Sequence, residues 1–220
     1  MTHKIKPFAH RLGVIRTWQS KWTYSNKNDY KNNLKMDHFV KAFLEKELRR
    51  NFVSSIEFSR DYKDEYIIKI RTSRAGTIAG KDGNGIEKLT KKVKRVIRKN
   101  NLQEPKSIKI VLEDVKRPYQ DAGIVTAEII EQLEKRMPFR MVMKNMLRNV
   151  MSERNVKGVK ISLSGRLNGV DMARKEFLKD GRIPLSTLRA DVDYREGRAN
   201  LPYGVIGIKV WLYKGDVFNK

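Results

Sequence analysis

Gly76, Gly80, Gly83 and Gly85 fall within ten residues, in the run GTIAGKDGNG. Such a density requires the backbone to turn tightly or to approach another group closely. A nucleotide-binding P-loop needs four residues between its first glycine and a Gly-Lys pair, then Ser or Thr to hold magnesium. Here only three residues separate Gly76 from Gly80, and Asp82 follows Lys81, so that chemistry is excluded. Two readings remain for Gly80, Lys81, Asp82 and Gly83. One is a plain turn between helices. The other is a loop whose bare backbone N–H groups admit phosphates, with the following helix directing its positive end at them.

Two further sets of residues could act on an anion. Lys88, Lys91, Lys92 and Arg95, continued by Arg98 and Lys99, lie opposite the apolar stripe Ile86, Leu89, Val93, Val96 and Ile97. Arg140, Lys144 and Arg148 recur at i+4 spacing, preceded by Arg136, opposite Phe139, Val142, Met143, Met146, Leu147 and Val150. A solvated face is the ordinary explanation of either stripe. The second is distinguished because no acidic residue interrupts it between Arg136 and Arg148. Met141 sits on its polar side, where the helical period requires exposure.

Catalytic chemistry finds no support. His3, His10 and His38 are scattered without a nearby acidic pair, there is no cysteine, and no Gly-x-Ser-x-Gly elbow occurs. Asp191 and Asp193 alternate along a strand and share a face, as a metal site would need. Arg189 beside them makes ion pairing the commoner explanation. A lyase working through a depressed-pKa amine is the rival from the enzyme class, but nothing singles out one lysine among many. We expect no catalytic residues, no metal and no cofactor.

The elements that must position these residues follow from the apolar pattern. Asp37 reads as an N-cap for a helix through Phe39, Val40, Phe43, Leu44 and Leu48. Ile56/Phe58 and Tyr66/Ile68/Ile70 alternate as two strands around the polar turn Asp61-Tyr62-Lys63-Asp64. A short helix (Ala75–Ala79), the glycine loop, a long helix from Asn84 and a strand through Ile108, Ile110 and Leu112 come next. After residue 115, helices are expected around Ala122–Leu133 and from Pro138. Strands are expected at Val159/Ile161/Leu163, Leu188–Tyr194 and Ile206–Leu212, with a short helix around Val170, Ala173 and Phe177.

These elements give an α+β chain in three parts: an arm over 1–35, a first domain over 36–115, and a second over 116–220. The second is expected to pack helices on a three-stranded sheet. Lys and Arg number 48 against 25 Asp and Glu, a net charge of +23, with 40% hydrophobic residues. A folded chain that basic calls for a polyanion. Nucleic acid is favoured over a membrane, because no apolar run approaches the ~20 residues that span a bilayer. The segment MTHKIKPFAH lacks the apolar core of a secretion signal, so a cytoplasmic location is expected.

The order helix–strand–strand–short helix–Gly-x-x-Gly–helix–strand resembles the type II K-homology fold, whose loop clamps about four nucleotides of backbone. More specific runs resemble the bacterial small-subunit ribosomal protein three family along nearly the whole chain. They are Arg11-Leu12-Gly13, Trp18-x-Ser20-x-Trp22, Gly80-Lys81-x-Gly83-x-x-Ile86-Glu87-Lys88-Leu89, Ser164-Gly165-Arg166-Leu167 and Ala173-Arg174-x-Glu176. Pro184-Leu185-x-Thr187-Leu188-Arg189-Ala190-Asp191-x-Asp193-Tyr194 and Gly207-Ile208-Lys209-Val210-Trp211 complete the likeness.

The resemblance implies a non-enzymatic place in the head of the small ribosomal subunit. The implied partners are ribosomal RNA, proteins ten and fourteen of that subunit, and messenger RNA. Gly80, Lys81, Asp82 and Gly83 would be the RNA-binding loop, with Lys88, Lys91, Lys92 and Arg95 the adjoining basic face. Arg136, Arg140, Lys144 and Arg148 would line the channel by which messenger RNA enters and help unwind it. Three features depart from the family pattern. Asp82 stands in a loop that is usually doubly basic; Met141 and Asn145 replace basic residues of the entrance helix; and Lys220 ends the sequence given without the basic tail of some relatives. A free-standing RNA chaperone built on the same module is the alternative.

Overall fold

The computed structural model describes residues 5–24, 26–60, 65–80 and 83–218. In chain order the elements begin with α1 (Pro7–His10), β1 (Ser20–Lys21), α2 (Lys27–Glu47), β2 (Val53–Arg60) and β3 (Glu65–Thr72). Next come α3 (Ala75–Ala79), α4 (Asn84–Lys99), β4 (Ser107–Asp114), α5 (Ala122–Glu134) and α6 (Phe139–Met151). The last four are β5 (Gly158–Gly165), β6 (Arg174–Gly181), β7 (Ala190–Leu201) and β8 (Gly204–Asp216). They form two units, one of residues 18–116 and one of residues 117–220 together with the first seventeen. The arm set apart from sequence is thus shared between them. The turn Asp61–Asp64, His3, Lys81, Asp82 and Lys220 lie outside the described residues.

In the 18–116 unit the sheet order is β1-β2-β3-β4, with β2 and β3 antiparallel and β1 and β4 parallel to their neighbours. The buried side chains of β3 alternate as Tyr66, Ile68 and Ile70. Opposite them lie Ile56 and Phe58 on β2 and Ile110 on β4. The helices cover that face with Met36, Val40, Leu44, Ile78, Leu89, Val93 and Ile97.

Helix α2 starts ten residues before the expected Asp37, capped at Asn26. The apolar stripe becomes visible only at Met36, where the helix reaches the core, so its polar first turns carried no periodic signal. Asp37 is therefore an interior residue, and its buried carboxylate is a junction. It accepts hydrogen bonds from the Trp22 indole (2.9 Å), the Tyr66 hydroxyl (2.9 Å) and Arg60 (3.4 Å). Arg60 also lies 4.7 Å over the Tyr66 ring. Burial, reinforced by the Asp37 charge, pushes the Tyr66 phenol far above its usual range, so it stays a hydrogen-bond donor.

The 117–220 unit holds a four-stranded antiparallel sheet of order β6-β5-β8-β7. It has one strand more than the three expected. The extra strand is β6, in the stretch read as a short helix. Val170, Ala173 and Phe177 imitate helical spacing, but β6 is an edge strand paired only to β5, and only Leu178 packs on the core. Such a strand lacks apolar alternation and could not announce itself. Helices α5 and α6 cover one face, packing Val125, Ile129, Val142 and Met146 against Val159, Ile161, Ile208 and Val210. Gly197 permits this approach: a Cβ there would stand 2.8 Å from both Thr126 and Ile130 side-chain carbons.

Residues 5–17 are tied to this unit by Arg11, whose side chain is fully buried. Its guanidinium donates to the carbonyls of Pro7 (3.0 Å), Pro184 (3.1 Å), Leu185 (3.0 Å), Thr187 (2.9 Å) and Ala190 (2.6 Å). A planar fork of donors is what allows one side chain to gather so many carbonyls. The runs Arg11-Leu12-Gly13 and Pro184–Ala190 are therefore two halves of one structural joint.

Candidate nucleic-acid interface

The glycine loop leaves α3 at Gly80 (φ 70°) and enters α4 at Gly83 (φ 78°). Both angles lie in the region that favours glycine. Gly80 is exposed and Gly83 half-buried. A Cβ on Gly83 would meet nothing within 4 Å, whereas one on Gly85 would stand 2.1 Å from the Ile78 carbonyl oxygen. Gly85 thus serves the close packing of α3 on α4, while Gly83 serves the turn itself. The N-cap residue of α4 is Gly83, which has no side chain to cap the first N–H groups of the helix.

Along α4, Leu89, Val93 and Ile97 are buried, and Lys88, Lys91, Lys92 and Arg95 are all exposed. Lys92 is paired to Glu47 of α2. Lys88, Lys91 and Arg95 have no ion-pair partner among the described residues. The charge left open on this face is therefore carried by those three.

On α6 the buried residues are Phe139, Val142, Met143, Met146 and Val150. Arg140, Met141, Lys144, Asn145 and Arg148 are exposed. Pro138 is the N-cap rather than the first helical residue. At a rise of about 1.5 Å per residue the three cations are spaced ~6 Å apart along the axis.

Arg136 precedes the helix in a left-handed conformation (φ 62°). Its N–H donates to the Leu133 carbonyl (2.8 Å) and the Met137 N–H to that of Gln132 (3.2 Å). These bonds close α5 as a Schellman motif with arginine at the position usually given to glycine.

The exposed stripe is less free than its sequence suggests. Glu176 of β6 accepts from Arg140 through Nε (3.3 Å) and through a terminal nitrogen (3.2 Å), and from Arg174 (3.1 Å). The hydrogen bonds from Arg140 hold the Glu176 carboxyl below the usual carboxylate range. Linear spacing missed this acid because it reaches α6 from the edge strand β6, distant in sequence. Its only sequence signal was the motif Ala173-Arg174-x-Glu176.

Asp191 and Asp193 form ion pairs, but not with Arg189. Arg16 binds Asp191 (2.9 Å) and Asp193 (3.3 Å), Lys214 adds to Asp193 (3.3 Å), and Arg189 turns to Asp216 (3.4 Å). Burial raises the Asp193 carboxyl, yet Lys214, Arg16 and the Ala122 N–H together bring it below its ordinary value. Among the described residues no group of three or more His, Cys, Asp or Glu could hold a metal ion. Nor is any helix long and apolar enough to cross a membrane.

Helix, two strands, two helices hinged on a glycine turn, and a closing strand define a K-homology domain, a class of RNA-binding module. A family model of the KH domain matches residues 35–120, and one of the ribosomal protein S3 C-terminal domain matches residues 129–212. Small ribosomal subunit protein uS3 of Clostridium botulinum (strain Okra / Type B1) is 42% identical over 217 residues, covering 99% of this chain and 93% of that one. Its counterpart in Shewanella loihica is 41% identical over 219 residues, covering 100% and 91%. That of Alkaliphilus oremlandii is 38% identical over 217 residues, covering 99% and 87%. The chain belongs to the uS3 family of ribosomal proteins.

Proposed function

We propose that this protein is a non-enzymatic constituent of the small ribosomal subunit head, in the cytoplasm. Its K-homology domain, residues 36–115, grips ribosomal RNA through the Gly80–Gly83 loop and through Lys88, Lys91, Lys92 and Arg95. Helix α6 presents Arg140, Lys144 and Arg148, with Arg136 beside them, to messenger RNA where it enters, and helps to unwind it. The neighbouring proteins in this placement are small-subunit proteins ten and fourteen.

The observation that carries the reading is the α6 geometry in a uS3-family chain. Three cations lie on one exposed face, held in place by an opposite face whose Phe139, Val142, Met143, Met146 and Val150 are buried, and such a row attracts and orients a passing strand. Two experiments test it. The protein should co-sediment with small subunits through a high-salt wash. In assembled subunits, replacing Arg140 and Lys144 by alanine should slow translation of structured messages more than of unstructured ones. Equal slowing of both, or failure to assemble, would make the stripe an assembly contact instead.

A further inference from the structure

The face of the 117–220 sheet turned away from α5 and α6 carries a second kind of surface. Side chains alternate across a sheet, so the residues between the core positions of each strand share this side. Phe177 on β6, Lys160 on β5, Trp211 on β8 and Tyr194 on β7 fall there; the strand pairing sets Lys160, Trp211 and Tyr194 in one row, and Phe177, paired to Ser162, lies diagonal to Lys160. The Lys160 ammonium stands 5.0 Å from the Phe177 ring centre and 5.3 Å from that of Trp211. Trp211 and Tyr194 follow at 5.3 Å with their planes tilted by 46°. The Tyr194 hydroxyl donates to Glu196 (3.1 Å), which fixes the ring. Phe177 is 53% exposed, the most open of the four.

The charge around this row has one sign in excess. Lys179 lies directly opposite Lys160, and Lys175 and Lys209 occupy the same face. Like charges placed opposite each other on a sheet are a cost in the free protein, and an anionic occupant removes that cost. Exposed aromatic rings held between lysines are the recurrent solution for unpaired nucleic acid, since bases stack on the rings and phosphates meet the cations. A basic protein partner would add to the repulsion rather than relieve it.

We propose that the uncovered part of this sheet face, beside the buried Val192 and Tyr213, is a binding site for single-stranded RNA, a stacking platform formed by Phe177, Lys160, Trp211 and Tyr194. With strands ~4.8 Å apart, four of them span about 14 Å, room for two or three splayed nucleotides. The site is separate from the cations of α6 and does not depend on their role.

The test uses the full chain with a single-stranded RNA dodecamer and with the duplex of the same sequence. Phe177→Ala should weaken dodecamer binding by roughly tenfold, the effect of losing one stacked base, and leave the salt slope and duplex binding unchanged. Lys160→Gln, made separately, should weaken the same complex and flatten the slope. The double variant Lys144→Ala/Arg148→Ala reports α6 independently: its loss of binding should add to that of Phe177→Ala. Dodecamer binding by Phe177→Ala and Lys160→Gln within twofold of the parent would overturn the proposal. So would no dodecamer binding by the parent, or variants that bind RNA normally but fail to enter small subunits, which would make the face a protein-docking surface.

Discussion

Replacing Asp37 by alanine tests how the 18–116 unit is held together. On local grounds the change is favourable, because alanine exceeds aspartate in helix propensity by about 0.6 kcal/mol. A capping Asp37 would instead lose ~1 kcal/mol. The structure demands much more. The Tyr66 hydroxyl, on a residue with 0% exposure, loses its acceptor, and a buried unsatisfied donor costs about 1–3 kcal/mol. The Trp22 indole loses its acceptor too, and Arg60, whose side chain is only 14% exposed, loses its carboxylate. Breaking a fully buried pair costs about 3–5 kcal/mol, reduced here because Arg60 keeps its stacking on Tyr66 and some solvent. The net expectation is a loss of about 3 kcal/mol, with Asp37→Asn in between because it keeps one acceptor oxygen. Hydrogen exchange of β3 amides under native conditions reads this unit apart from the other. A loss below ~1 kcal/mol would refute the junction and return Asp37 to an ordinary surface or capping role.

Glu176→Gln should release Arg140, tighten single-stranded RNA binding several-fold and steepen the log–log salt slope by about 0.7, one further phosphate contact; a salt titration of affinity reads this. Arg136→Gly relieves a left-handed arginine at the end of α5 and should raise stability by ~1 kcal/mol in urea unfolding. The Asp193 carboxyl titrates lower folded than unfolded. Its stabilisation is therefore fully present above its unfolded value of roughly 3.9 and is lost as pH falls through the depressed folded value. Asp193→Asn should flatten the acid limb of the 117–220 unit's pH–stability profile.

The parts of the fold legible in sequence are those where an element meets the core along its whole length. Helix α6 is the clearest case, since Phe139, Val142, Met143, Met146 and Val150 are all buried and every exposed residue followed from them. Strand β3 and helix α4 were readable for the same reason. Where an element only partly touches the core the pattern fails, as in the polar first turns of α2 and in the edge strand β6. The site divides in the same way. The cations of α4 and α6 could be placed on faces from their spacing alone. The partners that modulate them could not, because Glu47 and Glu176 arrive from elements distant in sequence. Arg11 is the extreme example: one arginine in a stretch without period, whose five acceptors are backbone carbonyls and so leave no compositional trace.

The central claim is that α6 of this uS3-family protein faces messenger RNA in the small subunit, and a contact read from position 144 tests it most directly. Lys144 lies mid-way along the exposed stripe and forms no ion pair among the described residues, so a photoreactive side chain there should leave the fold intact. Small subunits reconstituted with that protein would be programmed with a labelled message and irradiated. The expected product is a cross-link to messenger nucleotides on the side not yet translated, lost when the message is truncated short of the entrance. Cross-links to ribosomal RNA alone, unchanged with or without message, would contradict it.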